Sequence, residues 1–176
     1  MDNFRECLVR KRNTSSDTLK RAGIGVLCAL LAAAAVLFIP LFLFPFNLAA
    51  AIAIFYGGYY FMSNTNVEYE YILTNDEIDF DKIIAKRKRK RLVTAKISTF
   101  ENFGTLKEAP SVSDDYTTVK ADDCSGENEY FCDFKHASFG NVRVIFTPDE
   151  EMVKAIEMSL PGPLKTEYKR RRLLNK

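Results

Sequence analysis

Two hydrophobic patterns divide the chain. From Ala22 to Val67 there is no Asp, Glu, Lys or Arg, a run of 46 residues. Ala22–Phe44 forms a first apolar stretch and Asn47–Met62 a second, shorter one. A helix needs about 20 apolar residues to cross the hydrocarbon core of a bilayer. Between the stretches stands Pro40-Leu-Phe-Leu-Phe-Pro45-Phe-Asn47. Proline breaks the helical hydrogen-bond ladder, so two prolines followed by Asn predict a tight reversal. The pattern predicts two membrane helices joined by a short loop. A basic start before an apolar segment also fits a cleaved signal peptide. The second apolar stretch follows at once, however, which is a poor place to release a domain.

Beyond Val67 the period becomes two, that of a half-buried strand. Val67–Thr74 alternates, Asn75-Asp76 turns, and Ile78–Ile84 alternates again. Further strands are predicted at Leu92–Ile97, Phe100–Leu106, Thr117–Ala121, Tyr130–His136 and Val142–Phe146, with Ser125–Asn128 read as a hairpin loop. The period then switches. Thr147-Pro148-Asp149-Glu150 reads as a helix start with Thr147 as cap, and Met152, Val153, Ile156 and Leu160 share one helical face. Pro161-Gly162-Pro163 ends that helix. Seven strands and one amphipathic helix predict a bent antiparallel sandwich or barrel with the helix plugging one end.

This order resembles the pleckstrin-homology (PH)-like superfold. Tyr71-Ile-Leu-Thr74, followed by an alternating strand and a polar turn, is similar to the opening of bacterial PH-like domains, which often follow a pair of membrane helices. The whole layout resembles an uncharacterised family of small bacterial membrane proteins. Three features carry that resemblance: the Met-Asp-Asn-Phe start, the helical hairpin, and Asp81-Lys-Ile-Ile-Ala-Lys-Arg-Lys-Arg-Lys-Arg91. The resemblance implies architecture and no chemistry, because one fold hosts many functions.

The expected class is therefore an α+β membrane protein. Two transmembrane helices precede a PH-like, seven-stranded antiparallel sandwich or barrel that ends in an amphipathic helix. The expected divisions are a basic cytoplasmic N-terminal segment (1–21), a transmembrane hairpin (22–63), a cytoplasmic PH-like domain (67–163) and a basic tail (164–176). Within the first segment, Phe4 and Leu8 share a helical face, and both a short interfacial helix and a frayed tail fit.

Charge sets orientation. Arg5, Arg10, Lys11, Arg12, Lys20 and Arg21 precede the first helix, Lys82 and Lys86–Arg91 follow the second, and the loop between has none. The positive-inside rule predicts a multi-pass protein of the cell (inner) membrane with both termini cytoplasmic. Tyr56, Tyr59 and Tyr60 suit the lipid–water interface.

The strongest local signal is Lys86, Arg87, Lys88, Arg89, Lys90 and Arg91. Six adjacent cations repel one another, which points to an anionic partner. In a strand, three of the six would share a face. Anionic lipid headgroups are the expected ligand; a solvated hairpin that only sets topology is the alternative. Lys169, Arg170, Arg171 and Arg172 form a second candidate membrane contact, in a tail read as disordered, with Leu173 and Leu174 dipping into the interface.

From Glu101 to Asp133 nine acids face two lysines, Lys107 and Lys120. Asp114-Asp115 and Asp122-Asp123 match no EF-hand spacing and read as a solvated edge. Cys124, Cys132 and His136 fit no zinc pattern, and the two thiols read as small buried residues. Cys7 is a candidate for acylation near the membrane. Four cysteines make no disulfide scaffold, and a net charge of +2 is too near neutral for a nucleic-acid binder.

There is no glycine-rich phosphate loop, no nucleophile elbow and a single His. No enzyme activity, cofactor or metal is therefore expected. The expected function is a membrane-anchored binding or scaffold protein at the cytoplasmic leaflet. Its expected partners are the bilayer, anionic headgroups, and a protein partner or second copy. The alternative is an accessory subunit of a larger membrane complex, with the helical hairpin as its contact surface.

Overall fold

A computed structural model describes residues 4–38, 44–113 and 115–174. The chain forms two units. One takes in the described residues through Arg12, Glu68–Ile83, and those from Lys88 onward; the other takes in Asn13–Val67 and Ile84–Arg87.

The first unit is built on two four-stranded sheets. In one the order is β1 (Phe4–Arg10), β2 (Val67–Thr74), β3 (Glu77–Ile84) and β4 (Lys88–Lys96). β1 corrects the sequence reading of the N-terminal segment, which is neither helix nor frayed tail. It pairs antiparallel with β2, from Phe4 opposite Thr74 to Arg10 opposite Glu68. The alternation of Phe-Arg-Glu-Cys-Leu-Val-Arg suits this: Cys7 is buried, whereas Phe4 and Leu8 are each 58% exposed. The four-residue spacing that fits a helical face fits one strand face equally.

The second sheet has the order β5 (Phe100–Thr105), β7 (Tyr130–His136), β8 (Gly140–Phe146) and β6 (Tyr116–Ala121). All seven predicted strands are present and an eighth joins them, in two sheets rather than one seven-stranded body. The sheets are not wholly antiparallel, since β6 runs parallel to β8. β6 and β7 are therefore not neighbours, and Ser125–Asn128 belongs to a connection rather than a hairpin. Parallel neighbours cannot be joined by a tight turn, and here β7 intervenes between them in the chain.

Apolar positions of the strands meet in the core. Tyr71, Phe80 and Phe146 pack edge to face with centroids 5.1–5.6 Å apart. Each fully buried aromatic contributes roughly 1.5–3 kcal/mol. The Tyr71 hydroxyl is satisfied in the interior: it donates to Ala121 O and accepts from Thr147 N at 3.2 Å. Arg143 and Asp133 form a buried bidentate pair at 2.6 and 2.7 Å. Pro110 O takes a third Arg143 proton at 2.7 Å, and Asn102 donates to Asp133 at 3.1 Å.

α3 (Glu150–Ser159) follows with Met152, Val153, Ala155 and Ile156 buried. Its cap is Asp149, which accepts from Met152 N at 2.7 Å, not Thr147. Thr147 is occupied with Asp123, whose N–H donates to its hydroxyl at 3.2 Å. α3 ends before Pro161, as read, but the chain then forms α4 (Gly162–Leu174) in place of the expected tail. Pro163 suits a helix start. Leu164 and Tyr168, four apart, are buried, and Tyr168 packs on Phe103 at 5.1 Å. Two apolar anchors one turn apart suffice to dock a helix that is otherwise strongly basic.

The second unit is a helical pair. α1 (Ser15–Phe38) begins with reciprocal bonds: Thr14 Oγ1 donates to Asp17 at 2.9 Å and accepts from Asp17 N at 3.4 Å. α2 spans Phe44–Ser63 and so holds Pro45 in its first turn, where a missing N–H costs nothing. The expected reversal at Pro40–Asn47 otherwise lies largely outside the described residues.

The helices run antiparallel. Arg21 of α1 donates to Thr65 (2.6 Å) and Asn66 (2.7 Å) just past α2, while Cys28, a turn or two later, reaches Ile54 O at 3.8 Å. Among the described residues one stretch, Ser15–Leu37, is long and apolar enough to cross a membrane; its most apolar 18-residue window has a mean hydropathy of 1.8 and no buried residue. Of the two expected membrane helices, α1 meets this measure of length and hydropathy and α2 does not. Asn47, the Gly57-Gly58 pair and three tyrosines lower the hydropathy of α2.

Candidate functional site

The basic run sits on the hairpin between β3 and β4. Its turn, Ile84–Arg87, closes with Arg87 N donating to Ile84 O at 3.0 Å. Ala85 and Lys86 both have positive φ, 54° and 55°. This is the backbone of a type I′ turn, which follows strand twist and ordinarily uses Asn-Gly. Holding non-glycine residues there costs roughly 1–2 kcal/mol each. Ala85 N is fixed by Asn66 O at 2.8 Å. Arg87 lies over the Tyr60 ring, 4.6 Å from its centroid, and reaches Asn64 at 3.4 Å. Arg21 and Arg87 thus both hold the segment where α2 ends, beside the exposed Tyr56, Tyr59 and Tyr60.

All six side chains from Lys86 to Arg91 are exposed, but they are not equivalent. Arg89 pairs with Glu70 at 2.5 Å. Arg91 binds Asp81 through Nε (2.8 Å) and Nη2 (3.3 Å), and Asp79 through Nη1 (2.8 Å). Thr94 also donates to Asp79, at 2.6 Å. Arg91 and Thr94 are three apart yet meet one carboxylate, so strict two-residue alternation is interrupted between them. Lys88 and Lys90 have no ion pair among the described residues.

Glu70, Asp79 and Asp81 are members of this site that the sequence reading missed. Their signal was present: acids at alternate positions of β2 and β3 occupy the face opposite the buried Tyr71 and Phe80. Burial pushes the Glu70 carboxyl above its ordinary pKa; Arg89 opposes this, and a hydrogen bond shared with Glu6 adds to it. The Arg91 guanidinium is held above its ordinary value by its bond to Asp81.

The second basic cluster is ordered by α4. Lys169 and Arg172 both reach Glu157 of α3, at 3.5 and 3.6 Å. Arg171 donates to Phe103 O at 3.0 Å. Arg170 is exposed, as is Leu173. Three of the four cations thus brace the fold.

The remaining candidates separate. Cys7 is buried and its thiol is pushed up by burial, so it is no exposed acylation site. Cys132 is wholly buried, whereas Cys124 is exposed, contrary to expectation, on a connection. His136 stacks on Phe139 at 4.9 Å, and its Nδ1 accepts from Ser138 N at 3.1 Å. Asp122 and Asp123 shape their loop by accepting from Cys124 N (3.1 Å) and Ser125 N (2.9 Å), and Asp123 pairs with Arg12 at 3.5 Å. Asp114 lies outside the described residues. Among the described residues no group of three or more His, Cys, Asp or Glu is arranged to hold a metal ion.

Two four-stranded sheets followed by two C-terminal helices make an α+β domain, with one strand and one helix more than the sequence pattern predicts. Residues 1–166 match the model of a family described as Bacterial PH-like domain (DUF6106), and the chain belongs to that family. The match includes β1 and both helices of the second unit. No curated protein and no solved structure matches the chain.

Proposed function

We propose that this protein is a membrane-anchored, non-catalytic binding or scaffold module. It works at the cytoplasmic leaflet, with α1 and α2 crossing the bilayer as a pair and the basic hairpin meeting anionic lipid. One observation carries the reading: Arg10 and Glu68 are register partners in the β1–β2 ladder. Partners in an antiparallel pair stand about 4.5–5.5 Å apart at Cα. The chain between them leaves and returns at one place, so any crossing of a bilayer is matched by a second.

α1 offers the first crossing, since its apolar span is unburied. Its antiparallel neighbour α2 offers the return. At 1.5 Å per residue each helix is about 30 Å or more long, the thickness of the hydrocarbon core. Phe46, Leu48, Ile52, Phe55 and Phe61 of α2 are all exposed, a surface that lipid would cover. The cations before α1 and after α2 favour the cytoplasm for both termini. Each Lys or Arg near anionic lipid gains about 1 kcal/mol.

The test is a reporter at each terminus together with carbonate extraction of membranes. Both reporters should be cytoplasmic and the protein should stay in the pellet. Reporters on opposite sides, or release into the supernatant, would overturn the reading.

A further inference from the structure

We propose that the basic hairpin divides its charges: Lys88 and Lys90 contact anionic lipid, while Arg89 and Arg91 brace the hairpin and take no part. The ligand is then a negatively charged bilayer surface and not a single chelated phosphate. This rests on the membrane reading above and narrows it.

An arginine recognises phosphate through its planar fork of donors. Here the Arg91 fork is taken, and Arg89 is held through one nitrogen. Arg91 spends Nε and Nη2 on Asp81 and Nη1 on Asp79. Arg89 spends Nη2 on Glu70. The Asp81 and Glu70 side chains are only 2% and 6% exposed. Drawing Arg91 to lipid would strand the buried Asp81 carboxylate, and leaving a buried charged group without its partner costs more than one surface cation gains from a headgroup. The lysines carry no such obligation. Their exposed ammonium groups are mobile point charges with no fixed geometry. They respond to charge density and are screened by salt. The gain expected is about fivefold in affinity for each lysine.

The full chain, reconstituted in vesicles, is the system for the test. Lysines are acetylated with a succinimidyl ester and arginines are modified with phenylglyoxal. Rates at each residue are read by mass spectrometry, with the exposed Lys107 as internal reference. Vesicles of phosphatidylcholine alone are compared with vesicles containing phosphatidylglycerol.

In the anionic vesicles at low salt, acetylation of Lys88 and Lys90 should slow several-fold and recover in high salt. The Arg89 and Arg91 rates should be the same in both. Protection of the arginines without the lysines overturns the division of charge and leaves lipid contact by the hairpin standing. Equal protection by sodium phosphate over phosphatidylcholine overturns the bilayer as ligand in favour of a free anion. No lipid-dependent protection anywhere in the run overturns the membrane contact itself.

Discussion

Arg91 closes on Asp81 with two hydrogen bonds, Nε to Oδ1 at 2.8 Å and Nη2 to Oδ2 at 3.3 Å. The carboxylate is buried and the guanidinium is half exposed, 2% against 50%. The pair therefore ties an apparently solvated basic run to the sheet beneath it. Arg91→Ala would leave Asp81 without its fork. Stability should fall by about 1–3 kcal/mol in urea unfolding. Lys90→Ala, next in the chain and with no ion pair among the described residues, should stay within about 0.5 kcal/mol. Equal effects would refute the distinction between the two residues.

Glu70 supplies a pH test. Its pKa is raised in the fold, chiefly by burial, so the folded state holds the proton more tightly than the unfolded chain does. Its contribution is fully present below about 4.5, the unfolded value, and is lost as pH rises through the higher folded value. Glu70→Gln removes that dependence. The variant's urea midpoint should change less between pH 4.5 and neutrality than the wild-type midpoint does. A slope unchanged by the substitution would refute the assignment.

The Arg143–Asp133 pair is buried on both sides, 6% and 2% exposed. Arg143→Met strands a buried carboxylate and should cost about 3–5 kcal/mol. Asp133→Leu combined with Arg143→Met should recover much of that loss. Thermal unfolding followed by circular dichroism measures both, and a double variant as unstable as the single one would count against the account.

Thiol labelling tests the placement of β1. In the folded protein a maleimide should modify Cys124, which is exposed, while Cys7 and Cys132 should react only after denaturation. Ready labelling of Cys7 in the native state would mean that β1 does not pair with β2.

The strands from Val67 to Phe146 and the helix after Pro148 were legible, because each announces itself by a local period of two or of about 3.6. Phe4–Arg10 was not, although it alternates as well. Its partner β2 begins 57 residues further on, and nothing in seven residues specifies an edge so distant. The α4 tail was misread for a similar reason. Lys169-Arg-Arg-Arg172 looks solvated until Leu164 and Tyr168 find their sites, and Glu157 lies on a different helix. In the basic run, alternation was legible, but the acids that occupy Arg89 and Arg91 come from two other strands.

By itself, then, the amino-acid sequence determined the charge-free helical segment, the strand periods and the positions of the cations. These follow from residue-by-residue solvation and backbone preference, which neighbours in the chain settle among themselves. Only the tertiary structure decided that β1 closes onto β2, that β6 runs parallel to β8, and which cations are spent on carboxylates. Those outcomes depend on pairing between segments remote in sequence, where the gain from burial and ion pairing is realised only after the chain has folded back on itself.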